Sequence, residues 1–148
     1  MDRRALTFAI LSTLGIISSV FAWIKFTGSL LGVSMNSMPG VNGYDTDSGK
    51  INALCCLAML VVSVIPAITF NTKRVIFILG SVINMAAVGY YIYSFKTLDG
   101  SVELIKIATA MMDLSIMPYA AFLIAMGGFL YALMVGADYD SEDEPTYA

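Results

Sequence analysis

The chain contains no histidine and only two cysteines, and charged residues make up 13% of its 148 positions. Without histidine the commonest general base, the usual haem ligand and the commonest metal ligand are all missing. The two cysteines are neighbours, Cys55 and Cys56. Consecutive residues on a helix point about 100° apart, so this pair is poorly placed for a mutual disulfide. Two thiols with no nearby histidine or carboxylate do not make a zinc site either, and the pair reads as small packing residues. Soluble domains carry roughly 25% charged residues, about twice the share found here. No basic stripe is present, which excludes a nucleic-acid partner.

What fills the space is apolar: 58% of residues are hydrophobic and mean hydropathy is +0.80. Four stretches, Ala5–Ile24, Ile51–Thr72, Val75–Phe95 and Leu114–Ala137, lack any Asp, Glu, Lys, Arg or His. A bilayer core about 30 Å thick needs about 20 such residues in a helix, and each stretch reaches that length. The expected fold is an all-α integral membrane protein, a four-transmembrane-helix up-down bundle, with residues 1–148 forming one domain. The first stretch follows Asp2-Arg3-Arg4 and could be mistaken for a signal peptide. Its apolar run exceeds the usual 7–15 residues of such segments, so it is expected to stay as the first span.

The net charge of −3 is local in origin. Asp138, Asp140, Glu142, Asp143 and Glu144 crowd into an acidic tail, 138–148, and the body without it is mildly positive. Arg3, Arg4, Lys73 and Arg74 flank one side of the membrane, and Lys25, Lys50, Lys96 and Lys106 the other. The count is level, so the positive-inside rule is decided by detail. The arginine pair immediately before the first span, with Lys73-Arg74 read as lying in a tight turn, points to both termini being cytoplasmic, in a plasma (inner) membrane.

The longer first outer loop, Lys25–Lys50, is dense in glycine and contains the turn signals Pro39-Gly40 and Asn42-Gly43. Asp45-Thr46-Asp47-Ser48-Gly49 has the opening of a calcium loop. However, Lys50 and Cys56 stand where such a loop needs its glycine and its bidentate glutamate. It reads instead as a polar turn into the second helix. In the second outer loop, Asp99-Gly100-Ser101 signals a helix start. Val102, Ile105, Ala108 and Met112 then recur at near-helical spacing, as in a short amphipathic surface helix. The four-span layout resembles claudin-type tetraspan proteins in outline. That family's first loop pairs tryptophans with two spaced cysteines, whereas here Trp23 ends a helix and Cys55-Cys56 lie inside a span. The outline therefore implies no residue roles.

Helices in lipid associate through small residues and side-chain hydrogen bonds. Gly15 and Ser19 on the first helix, Gly80 and Asn84 on the third, and Ala125, Gly128, Ala132 and Gly136 on the fourth are the expected packing positions. Asn84 is expected to bond Ser63 or Ser18, and Pro66 to kink the second helix. Trp23 and Phe26, with Tyr90, Tyr91, Tyr93 and Phe95, should form an aromatic belt at the outer interface. No nucleophile–base pair, phosphate-cradling loop, metal cluster or cofactor motif is present. The chain is expected to be no enzyme. The leading expectation is an accessory, structural or assembly subunit of a larger membrane complex, whose partners are the lipid bilayer and other membrane subunits or a second copy. An immunity-type protein that blocks a toxin, and an oligomeric pore or small transporter, are the alternatives.

Overall fold

A computed structural model describes residues 3–27, 29–30, 33–34, 39–97 and 112–142, with side chains as far as Val135. Four long helices dominate: α1 (Arg3–Val20), α2 (Asp47–Val64), α3 (Phe70–Lys96) and α4 (Met117–Glu142). All four are long and apolar enough to cross a membrane. They form a bundle in which α1 packs against α2 and α4, and α3 against α2 and α4. Many outward side chains are large and apolar, among them Leu54, Leu79, Leu123 and Met134. Such a surface suits hydrocarbon as its surroundings.

The remaining elements correct the all-α expectation. Strands β1 (Ala22–Phe26), β4 (Val41–Asn42) and β5 (Met112–Leu114) form a three-stranded antiparallel sheet with β1 in the middle. A two-stranded pair, β2 (Ser29–Leu30) with β3 (Val33–Ser34), lies between them in the chain. The first span therefore ends at Val20, not Ile24, and Ala22-Trp23-Ile24 belongs to a strand. Helix four starts at Met117, not Leu114, and Asp113 sits on β5 directly opposite Lys25 of β1. Opposite charges in that register favour the pairing. The expected surface helix falls at residues 98–111, outside the described residues, and its last position, Met112, is on β5.

Helix two is shifted toward the N-terminus. It starts at Asp47, where the Thr46 hydroxyl caps it by accepting from the Gly49 N–H at 3.1 Å. This is an ordinary N-cap, and it explains the polar turn. The helix ends at Val64, so Pro66 terminates it where a kink had been expected. Proline has no N–H to continue the ladder. Thr69 then caps α3, its hydroxyl accepting from the Thr72 N–H at 3.4 Å. Lys73 and Arg74 consequently belong to the first turns of α3, not to a loop. The backbone of α4 continues helical to Glu142, past Ala137.

Two apolar clusters fill the bundle. In one, Phe8 stacks on Phe77 with ring centroids 4.1 Å apart and meets Tyr131 edge-on at 5.4 Å, with Met59, Cys56 and Ala132 around them. In the other, Trp23 is joined by Val88 and Ala121. Trp23 is not an interfacial belt residue, for it is fully buried. Its indole N–H donates to the Ser18 carbonyl at 2.8 Å and its ring lies 5.1 Å from that of Tyr91. Tyr90 and Tyr93 are the exposed aromatics of that helix end.

The strand that carries Trp23 also ties the segments just before α2 and α4 to the end of α1. Ser115 N–H donates to the Trp23 carbonyl at 2.9 Å, and the Ser115 hydroxyl to that of Ala22. On the other edge Gly43 N–H donates to Phe21 at 3.0 Å, which seats Gly43 against the indole. A Cβ at Gly43 would overlap the Trp23 ring. We predict that Gly43→Ala destabilises the protein by about 1–3 kcal/mol through overpacking. Thermal unfolding in mild detergent, followed by the fluorescence of the sole tryptophan, measures it. An unchanged transition would show that the sheet does not press on Trp23.

Candidate functional site: a polar seam inside the bundle

Each bundle helix is apolar outside, yet a line of polar side chains runs through the interior. Ser12, Ser18 and Ser19 of α1, Asn52 and Ser63 of α2, and Ser81 and Asn84 of α3 are all buried. Polar groups removed from water must find partners, because leaving one unpaired costs about 1–3 kcal/mol or more. Their bonding shows how the sequence meets that demand.

The seam begins at Gly15. A Cβ there would collide with the Cys56 sulfur, so only glycine lets α2 come this near. At that separation the Asn52 amide reaches across, its Nδ2 donating to the Gly15 carbonyl at 3.1 Å and to the Ser19 hydroxyl at 2.8 Å. Ser18 also turns back on the Gly15 carbonyl, at 2.7 Å. One helical turn along α2, the Cys56 thiol lies 3.9 Å from Asn52 Oδ1, a long and weak contact. Asn84 Nδ2 of α3 then donates to the Cys56 sulfur at 3.3 Å. Three helices are thus joined through Ser19, Asn52, Cys56 and Asn84. Asn84 bonds neither Ser63 nor Ser18, since both hydroxyls return to carbonyls of their own helices.

Other expected packing positions surround this seam. A Cβ on Gly80 would stand 2.7 Å from Met59 Sδ, and one on Gly128 would stand 3.3 Å from Ser81 Oγ. The tighter approach is therefore at Gly80. Ala125 and Ala132 are buried, and the Ala132 carbonyl accepts from Arg74 Nε at 3.0 Å. The Gly136 position lies beyond the described side chains. By contrast Gly127 has no atom within 4 Å of where its Cβ would stand, so it faces away from the bundle.

Asn52 is the seam residue that sequence reasoning passed over. Its signal was present, because it is an amide in a charge-free span, four residues before Cys56. At that spacing both side chains share one helix face.

The Asn84 Oδ1 atom is buried without a protein partner. Asn84, Ser81, Ser12 and Asn52 line a cavity of about 10 Å³ with Leu11 and Phe77. That volume suits about one water molecule, and an amide oxygen is a suitable acceptor for it. It is far too small for a solute path. Among the described residues no group of three metal-ligating side chains comes together. The arrangement can align helices and hold a water, and it places no acid beside a base.

Comparison with known protein families, with curated proteins and with solved structures gave no match to this chain.

The seam predicts an energetic coupling. Interhelical side-chain hydrogen bonds in membranes average about 0.6 kcal/mol and reach about 1.7. A double-mutant cycle of Ser19→Ala and Asn52→Ala, read by reversible unfolding in bicelles, should give a coupling within about 0.5–1.5 kcal/mol. Strict additivity would mean that the pair does not bridge α1 and α2.

Proposed function

We propose that this chain is a non-catalytic integral membrane protein acting as an accessory, structural or assembly subunit of a larger membrane complex. The observation that carries this reading is the closure of the polar seam. Ser19, Asn52, Cys56 and Asn84 are spent on joining three helices beside a one-water cavity, leaving shape and surface as what the chain offers a partner. A pore through a single copy fits that cavity poorly.

In the membrane the chain forms an up-down-up-down bundle. Arg4 lies over the Phe70 ring at 5.6 Å, which is consistent with the starts of α1 and α3 sharing one end. Lys96 lies over the Tyr119 ring at 5.6 Å, consistent with the end of α3 meeting the start of α4. Arg3, Arg4, Lys73 and Arg74 then share the cytoplasmic end with both termini, in a plasma (inner) membrane. The three-stranded sheet of Ala22–Phe26, Val41–Asn42 and Met112–Leu114 lies on the far side. That sheet belongs to the outer surface through which a partner subunit, or a second copy, is met.

Extraction of the native membrane with a gentle detergent tests the assignment. The chain should migrate as part of an assembly larger than one copy, with the same companion in repeated preparations. A free monomer under those conditions would overturn it. Cysteines placed at Ser48 and Ser141 test orientation. Ser141 should label from the cytoplasmic side and Ser48 only from the far side, and the reverse pattern would invert the topology.

A further inference from the structure

Lys73 is the one charged side chain buried among the described residues, with 7% of its surface exposed. Its position has a clear local cause. Pro66 stops α2 after Val64, which leaves the last carbonyls of that helix without successors. Lys73, in the first turn of α3, folds back and donates from Nζ to the Ser63 carbonyl at 2.9 Å. A cation at the negative end of a helix dipole is well placed.

That contact uses one of three ammonium protons and supplies no counter-charge. The ion pair found among the described residues, Lys50 with Asp47, belongs to the start of α2, not to this end. A buried charge without an opposite charge is costly. Lys73 also forms the polar wall of a pocket of about 380 Å³. Ala5, Val64, Pro66, Ile68 and Phe70 make the rest of that wall, and all are apolar apart from the Ser63 contribution. Arg4 lies over the ring of Phe70, one of the lining residues, at 5.6 Å. Val64, which lines the pocket, and Ile65 next to it in the chain are exposed apolar side chains at the end of a membrane-length helix. The matching ligand is anionic at one end and apolar at the other, and sits at the level where a helix leaves the bilayer.

We propose that Lys73 and the pocket beside it bind the phosphate headgroup of an anionic glycerophospholipid, whose glycerol and upper acyl carbons lie against Phe70, Pro66 and Val64. This rests on the membrane-spanning reading above. Anionic lipids are concentrated in the cytoplasmic leaflet, the side on which Arg3, Arg4 and Arg74 are also placed.

Native mass spectrometry of the purified full chain, titrated with dioleoylphosphatidylglycerol or dioleoylphosphatidylcholine, tests the site. The phosphatidylglycerol adduct should persist at lower lipid concentration than the phosphatidylcholine adduct. Lys73→Gln keeps a donor for Ser63 while removing the charge. It should weaken the phosphatidylglycerol adduct about fivefold or more, the factor one basic residue supplies at an anionic surface. Lys50→Gln should leave the adduct unchanged, and thermal unfolding of both variants confirms that they fold. Equal retention of the two lipids, or an adduct indifferent to Lys73→Gln, would overturn the proposal. Full displacement by an equal concentration of inorganic phosphate would overturn it in favour of a free anion. A large gain in lipid binding when residues 138–148 are removed would assign the pocket to the chain's own acidic tail instead. Alkaline carbonate extraction of native membranes separates the premises. Release of the chain would refute the membrane reading itself, whereas a retained chain with no lipid preference refutes only this site.

Discussion

The close approach of α1 and α2 at Gly15 is the contact on which the rest of the bundle depends. Helices apolar enough to cross a membrane would gain little hydrophobic energy from one another in lipid, where dispersion at short range and a few hydrogen bonds must hold them. Gly15 provides the short range by leaving room for the Cys56 sulfur. That room is what lets the Asn52 amide reach both the Gly15 carbonyl and Ser19. Cys56, fixed in turn, offers its sulfur to Asn84 and so brings in α3. A bulkier residue at Gly15 would remove the contact and, with it, the geometry for every later bond.

The second organising device is the strand after α1. Because β1 pairs with β4 on one edge and β5 on the other, the end of α1, the start of α2 and the start of α4 are tied together. Trp23 on that strand fills the space beneath, clamped by Ser18 and met by Tyr91. The described loop segments Val41–Asn42 and Met112–Leu114 are therefore held on one strand, and a change in that strand is felt at the helix ends.

The helices were legible because a charge-free run of bilayer length has few other readings. Their ends were not. An apolar run carries no period that separates its last helical turn from a short buried strand, so Ala22–Ile24 read as helix. Pro66 lay within such a run and read as a kink, although it ends α2. The sheet was hidden because β4 and β5 are only a few residues long and pair across residues distant in sequence with β1. The small-residue positions were visible from their spacing. The partners were harder, since Asn84 could reach several serines by sequence and its choice of Cys56 depends on how α2 is rotated. Asn52 was overlooked because it stands near a helix start, where an asparagine is unremarkable as a cap.

The two native cysteines allow the closed character of the core to be tested directly. Cys56 is buried in the seam, whereas Cys55 beside it is only half-buried. In native membranes, a Cys55→Ala variant should leave Cys56 unmodified by a charged, water-soluble methanethiosulfonate applied from either side. Rapid modification of Cys56 would reveal a water-filled path through the helices and contradict the account of a closed, structural core.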